Sequence, residues 1–217
     1  MPMKVEVHQF VPVPLADQVM GSSSQVWRQH HVDLTEAGVN IVVSESGRGK
    51  SSLLNSLYGL RKDYHGSIFL NGRDIKDFEV ADWERIRREE VSMVFQDFKL
   101  FPKLTLMENI EIKNELSGHK TPSQIEDLIH SLGLWEYRRQ SAATLSIGQQ
   151  QRLAIVRALC QPFGLIVLDE PFSHLDPENT RRAFNLIKEE AGNQKARVLI
   201  SALHREDVPQ YDKCYKL

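Results

Sequence analysis

Three short runs in this chain are apolar almost without a break: Val39-Asn40-Ile41-Val42-Val43, Leu165-Ile166-Val167-Leu168 and Val198-Leu199-Ile200. A strand with one face in water alternates polar and apolar side chains, whereas a run without alternation is buried on both faces. Such strands sit in the middle of a parallel sheet covered by helices. Helical patterns stand between and after them. Leu53, Leu54, Leu57 and Tyr58 line one face of Lys50 to Tyr58, and Gly59 is placed to cap it. Thr121-Pro122-Ser123-Gln124 joins a capping box to a proline at the first helical position, and Ile125, Leu128, Ile129 and Leu132 follow at helical spacing until Gly133. Leu153, Val156 and Cys160 mark a helix after Ser146-Ile147-Gly148. Ala183, Phe184, Ile187 and Ala191 mark another that starts at Asp176-Pro177 and stops at Gly192. Strands alternating with helices predict an α/β fold with a mostly parallel sheet.

The rest of the chain is less regular. Lys4 to Val11, Val26 to Leu34, Gly66 to Leu70 and Val91 to Phe95 read as strands, with Pro12, Pro14 and Gly21-Ser22-Ser23-Ser24 as interruptions and Asn71-Gly72 as a hairpin turn. Phe98 to Gln140 lacks strands and reads as a helical insertion. With 217 residues, 41% of them apolar, the chain can bury a core without disulfides or metal. Lys and Arg number 27 and Asp and Glu 29, so the net charge of −2 offers no broad basic surface and no nucleic-acid partner is expected. Cys160 and Cys214 lack metal-ligand spacing, which fits a reducing compartment. No run reaches the ~18 apolar residues that cross a bilayer, and no signal-peptide core is visible. Any role at a membrane is therefore expected to run through a partner chain.

The run Val39 to Val43 leads into Ser44-Glu45-Ser46-Gly47-Arg48-Gly49-Lys50-Ser51-Ser52 and then a helix. This is the strand–loop–helix context of a phosphate-binding loop, G-x-x-x-x-G-K-[ST], with Gly49, Lys50 and Ser51 matching and Ser44 in place of the first glycine. Backbone N–H groups from Gly47 to Ser52 can wrap phosphates at the helix N-terminus, Lys50 can reach the β- and γ-phosphates, and the Ser51 hydroxyl can ligate Mg²⁺. Two features predict a slower site. Ser44 is expected to strain the turn. The Glu45 carboxylate costs about 2 kcal/mol at roughly 8 Å from a phosphate and an effective dielectric of about 20, with Arg48 as an offset. The plainer alternative is a Ser/Gly-rich turn capped by Lys50.

The second run ends in Asp169-Glu170, at the carboxyl end of a buried strand, where open α/β sheets bind ligands. Asp169 is placed to hold Mg²⁺ through water and Glu170 to act as general base on the attacking water. Taken alone, Asp169-Glu170-Pro171 also reads as a solvated turn.

Leu145-Ser146-Ile147-Gly148-Gln149-Gln150-Gln151-Arg152 resembles the LSGGQ signature of ABC ATPases. In the same comparison Val94-Phe95-Gln96-Asp97 resembles the Q-loop, Ser173-His174-Leu175-Asp176 the D-loop, and His204 the switch histidine. These motifs, in family order from Ser44 to His204, identify the chain as similar to an ABC nucleotide-binding domain. The resemblance implies a P-loop NTPase of the ABC type over residues 1–217. Its mostly parallel core sheet would be joined by an antiparallel β-subdomain and a helical subdomain of about 97–160. It implies ATP and Mg²⁺ as cofactors and head-to-tail dimerisation, with ATP held between one phosphate loop and the other subunit's signature. Ser146, Gly148 and Gln149 would meet the γ-phosphate across that interface, Asp176 would belong to the same nucleotide site, Gln96 would ligate Mg²⁺ and water, Glu170 would activate water, and His204 would contact the γ-phosphate. For Asp176, Ser146 and His204 the residues themselves also permit two helix caps and a surface histidine.

The chain departs from the family pattern at Ser44, at Ile147 in the first signature glycine, and in lacking a tyrosine between Val11 and Asp17. Phe10 is the nearest aromatic for stacking on adenine, with Val13 or Leu15 as aliphatic substitutes. The stretch Phe95 to Thr105 resembles compact bacterial cassettes of the lipoprotein-release, macrolide-export and cell-division type. These act with an integral membrane permease-like subunit, which implies a cytoplasmic cassette peripheral to the membrane's inner face. Phe98, Leu100, Phe101 and Leu104 are expected to receive that subunit, or else to pack the insertion. The chain's end soon after His204 implies no regulatory C-terminal domain. The alternatives are a cassette that binds ATP with little hydrolysis, a soluble non-transport ABC protein, and a lone P-loop kinase or GTPase; the signature argues against the last.

Overall fold

A computed structural model describes residues 2–18 and 23–217; Gly21 and Ser22 of the loop expected at Gly21–Ser24 lie outside the described residues. The chain starts with β1 (Val5–Pro12) and β2 (Val32–Asp33), then forms β3 (Val39–Val43), α1 (Lys50–Leu57), β4 (Tyr64–Leu70), β5 (Arg73–Asp74), α2 (Val80–Glu89) and β6 (Val91–Val94). Next come α3 (Leu106–Glu115), α4 (Pro122–Ser131), α5 (Ile147–Leu159), β7 (Leu165–Asp169), α6 (Pro177–Asn193), β8 (Arg197–Ala202) and β9 (Lys213–Lys216).

Five strands form a parallel sheet in the order β6-β7-β8-β3-β9. Every residue of β3, β6 and β7 is buried, as unbroken apolar runs require. Successive side chains go to opposite faces. Val39, Ile41 and Val43 pack with α3 to α6, while Val42 packs with α1, α2 and the second sheet. Each such side chain contributes about 1.5–3 kcal/mol by leaving water. The second sheet is antiparallel, β2-β1-β4-β5, and its turn Asn71-Gly72 has φ of 49° and 82°, as expected for that dipeptide between paired strands.

The order of the parallel sheet positions the site. β8 lies between β7 and β3, with Val43 opposite Ala202 and Asp169 opposite Ser201. The loop after β3, the acid pair ending β7 and the segment after β8 therefore leave the same edge side by side.

The structure corrects two expectations. Val26 to Leu34 is not one strand; only Val32–Asp33 pairs. The Ser24 hydroxyl accepts the amides of Val26 (3.1 Å) and Trp27 (2.9 Å), and Arg28 takes φ of 58°, so the backbone turns while Val26 and Trp27 stay buried as anchors. Apolar residues that anchor a turn mimic a strand in sequence. Gly192 does not stop α6. The helix runs to Asn193, and Lys195 takes the left-handed position (φ 54°), with its N–H on Gly192 O and that of Ala196 on Ala191 O. The stops at Gly59 and Gly133 hold: both have positive φ, and Leu60 N–H to Asn55 O (2.8 Å) and Leu134 N–H to Ile129 O (3.0 Å) close the motif.

Candidate functional site

The phosphate loop links β3 to α1. Gly49, the residue before α1, has φ of 95°, a conformation that favours glycine, and a Cβ there would also push aside Leu15 Cδ1, 2.4 Å away. Gly47 has φ of 78°. Ser44 is not among the positive-φ residues, so a side chain fits there without backbone strain, and the expected strained turn is corrected. Glu45 is 81% exposed at its side chain and faces the Arg48 guanidinium at 3.8 Å. A carboxylate so far into water is screened from the loop, which makes the repulsion expected from sequence an upper bound.

Lys50 is buried, its side chain 4% exposed, and its Nζ donates to Ser44 O (2.7 Å) and Glu45 O (3.1 Å) and lies 3.3 Å from Glu170 Oε1. A buried ammonium needs such oxygen partners. Ser51 Oγ donates to Gln96 Oε1 at 3.4 Å, and Ser52 Oγ accepts from Arg61 at 3.0 Å. A cavity of about 200 Å³ is lined by Ser46, Gly47, Gly49, Lys50, Ser51, Ser52, Gln96 and Glu170, with Pro14 and Leu15 at its side.

The acid pair is no solvated turn. Asp169 is buried and accepts the Ser201 hydroxyl at 2.5 Å. Glu170 sits at φ 48°, a left-handed conformation that costs a non-glycine residue roughly 1–2 kcal/mol. It is held from both sides: its N–H donates to Ser201 Oγ (3.0 Å) and O (3.2 Å), and its carbonyl accepts Gln151 Nε2 (3.1 Å). Gln151 is fully buried on α5, and it also donates to Ser173 Oγ (3.2 Å) and accepts His174 N–H (3.0 Å). Sequence reasoning missed Gln151 and Ser201 as site residues. Their signal was a polar side chain at a core-facing position of an apolar helix and of an apolar strand.

Ser51, Gln96 and Asp169 share a second cavity of about 480 Å³. His204, exposed two residues beyond β8, lines one cavity with Glu170 and another with Ser44, Glu45 and Arg48. Its backbone N–H donates to Asp207 Oδ2 at 2.8 Å.

The signature stands apart from this chain's own loop. Ser146 caps α5: its hydroxyl accepts Gln149 N–H (3.3 Å) and the Gln149 side chain accepts Ser146 N–H (2.8 Å). Gly148 is required by packing, since a Cβ would lie 2.9 Å from His174 O. Ile147 is exposed and meets no obstacle within the chain. Asp176 caps α6 and accepts from Glu178 N–H (3.0 Å), Asn179 N–H (2.9 Å) and the Asn179 side chain (2.6 Å), bonds that hold its carboxyl below the usual range. The helix-cap alternatives for Ser146 and Asp176 are thus realised in the structure. None of Ser146, Gly148, Gln149 and Asp176 lines the cavities beside the phosphate loop described above.

The family model of ABC transporters matches residues 28–173, a span that includes the phosphate loop, the acid pair and the signature. The chain belongs to the ABC transporter family. The cassette is 35% identical over 162 residues to the ABC transporter ATP-binding protein YtrE of Bacillus subtilis, covering 73% of this chain and 70% of that protein. It is 30% identical over 203 residues to the phosphonates import ATP-binding protein PhnC of Lactiplantibacillus plantarum, covering 88% and 78%. The dimeric structure of MJ0796, a bacterial ABC transporter cassette, superimposes with a TM-score of 0.79 at 24% identity, covering 98% of this chain and 94% of that one. A post-hydrolysis structure of MJ0796 with ADP and Pi gives 0.69 at 22% identity, covering 94% and 89%. At those identities the likeness establishes the fold. As an ATP-binding member of the family, the cassette is an ATPase.

Phe10 cannot stack on a base in this cassette. It is fully buried against Trp27 (5.6 Å between centroids) and Tyr64 (5.0 Å), because β1 turns it into the core. Leu15 lies beside the loop, in a cavity of about 790 Å³ that Trp27, Ser44 and Arg48 also line. The cluster after Gln96 divides. Phe98 is buried and Leu100 packs on the core, as the packing alternative holds, while Phe101 is 50% exposed and lies with Ile112 and Leu116 along a groove of about 270 Å³. Phe98 and Lys99 both have positive φ, and Arg157 of α5 donates to both carbonyls at 2.7 Å, fixing that turn.

Proposed function

We propose that two copies of this cassette close head to tail around two ATP molecules and drive a separate membrane subunit. The single observation that carries this is the convergence of Lys50, Ser51, Gln96, Asp169 and Glu170 on the loop that follows β3. The signature, remote from those cavities, is left to serve the partner copy's nucleotide, with Ser146 and Gly148 at a helix N-terminus suited to an anion and with Gln149 and Asp176 beside them. Residues 97–160 form the helical subdomain that carries this signature.

Lys50 places its ammonium beside two loop carbonyls and Glu170, at the cavity lined by Gly47, Gly49, Ser51 and Ser52. On binding, its ammonium moves to the β- and γ-phosphates, with the amides from Gly47 to Ser52 around them and Glu45 and Arg48 at the rim. Leu15 gives the base an aliphatic wall. The Ser51 hydroxyl, the Gln96 carbonyl and the Asp169 carboxylate are all hard oxygen donors, which fits Mg²⁺; when bound, the ion would neutralise phosphate charge. Glu170 takes the proton of the attacking water at its carboxylate, and His204 stabilises charge on the γ-phosphate.

Among the described residues no helix is long and apolar enough to cross a membrane. We assign attachment at the inner face to a membrane partner that docks at the groove of Phe101, Ile112 and Leu116. Ser44 without positive φ and Glu45 in solvent weaken the case for a cassette that binds ATP with little hydrolysis, which then rests on Ile147 in the signature. The test is Glu170→Gln. Hydrolysis should fall roughly 10²–10⁴-fold and an ATP-dependent dimer should appear in light scattering. Wild-type turnover in this variant would refute the assignment of the base. Lys50→Ala should abolish ATP binding by calorimetry.

A further inference from the structure

We propose that the outer face of the antiparallel sheet holds one divalent transition-metal ion, for which Zn²⁺ is the reference, on His8, His31 and Glu6. The strand pattern places these groups. Val5 and Val7 of β1 are fully buried, so Glu6 and His8 project from the opposite face. β1 and β2 pair Glu6 with Asp33 and Val7 with Val32, and the same register carried one step further sets His31 across from His8.

The side chains have converged. The His8 and His31 rings stand edge to face with centroids 5.0 Å apart, and His31 Nε2 is 2.6 Å from Glu6 Oε1. One ligand atom from each of the three residues lies within 4.8 Å of the others, the only such trio of His, Cys, Asp and Glu among the described residues. His8 Nε2 is shut off from water and has no hydrogen-bond partner among the described residues. A buried ring nitrogen without a partner calls for an explanation, and a metal ion supplies one.

Two imidazoles and a carboxylate suit Zn²⁺, whereas Mg²⁺ prefers oxygen donors alone. With Zn–N and Zn–O near 2.0–2.1 Å, tetrahedral ligand atoms sit ~3.3 Å apart, so the 2.6 Å His31–Glu6 contact must open by about 0.7 Å. Small side-chain rotations on a solvent-facing sheet allow that. The competitor is Lys4, whose Nζ lies 2.8 Å from Glu6 Oε1 and 4.0 Å from Asp33 Oδ2. Its side chain is 52% exposed and can withdraw into water. Asp33 adds a second negative charge beside the site, though its Oδ1 is engaged by the Thr35 amide (2.8 Å) and hydroxyl (2.9 Å). Water completes the coordination. Bound there, the ion ties the two-residue β2 to β1 a few residues ahead of β3.

The test is titration of nucleotide-free, chelator-treated full chain with ZnCl₂ in phosphate-free buffer, by calorimetry and by thermal melting. One equivalent should bind and raise the melting temperature. His31→Ala and His8→Ala should each weaken binding at least 10-fold and remove the thermal shift, while Cys214→Ser should bind as wild type. Absence of stoichiometric binding would leave a solvated ion-pair network only and overturn the site, as would wild-type affinity in either histidine variant. If His8→Ala does not fold, His31→Ala, a half-exposed position, decides alone.

Discussion

Replacing Gln151 by Leu should injure both stability and turnover, by separable amounts. Leucine keeps most of the buried volume but removes the bonds to Glu170 O, Ser173 Oγ and His174 N–H. Ser173 Oγ retains His174 Nδ1 at 2.9 Å and Glu170 O retains the Ser173 N–H at 3.3 Å, so the His174 N–H is the one group left without a partner. That orphan costs about 1–3 kcal/mol and the lost bond to Glu170 O adds to it, while the added apolar contact returns part, giving a net loss of about 1–3 kcal/mol. The kinetic effect has a separate origin. Glu170 holds a left-handed conformation with its amide and carbonyl both tied, and without Gln151 its carbonyl keeps only the 3.3 Å bond from Ser173 N–H, so the turn is held less tightly and the carboxylate of the proposed base can shift. A displacement of ~1 Å is worth about 10²-fold, so the catalytic rate should fall 10- to 100-fold. The KM for ATP should hold, because Lys50 and its loop make no contact with Gln151. Urea melts give the first quantity and steady-state ATPase assays the second. A Gln151→Leu protein with wild-type midpoint and wild-type turnover would falsify the assigned role.

Ser44→Gly restores the usual loop glycine yet should change hydrolysis less than about twofold, while the greater freedom of the unfolded chain costs about 0.5–1 kcal/mol in a urea melt; a tenfold faster enzyme would show that Ser44 does strain the turn. Burial, with Arg157 nearby, pulls the Lys113 ammonium from 10.5 down to about 8. Between those values the unfolded chain binds more protons than the native one, so this group makes stability rise as pH climbs from 8 towards 10.5 and imposes a constant penalty below 8. Lys113→Met should therefore stabilise the protein by about 1–3 kcal/mol at pH 7 and flatten that rise; parallel pH profiles of the two proteins in urea would refute it.

Sequence disclosed the parallel core because β3, β7 and β8 are buried on both faces and lack alternation. It missed α2, and it placed α3 only within a helical insertion without bounds, although Thr105 and Glu108 form a capping box there, because few of their residues are buried and the apolar stripe is thin. It missed β9, where Tyr215 is the one fully buried residue and no period can be read. Of the site, the phosphate loop and acid pair were visible as short local motifs. Gln151 and Ser201 were not, since each acts through partners 19 to 32 residues away that only the sheet order brings near. Phe10 was misassigned because sequence distance from the loop says nothing of the direction in which a strand turns its side chain.

The missing Cβ at Gly148 lets α5 press directly on the backbone of His174, and Gln151 bolts the same two segments together one turn further along. Sliding between them is blocked sterically and by hydrogen bonds. In the proposed dimer, a load placed on the start of α5 at Ser146 would therefore be passed by Gln151 to the backbone of Glu170.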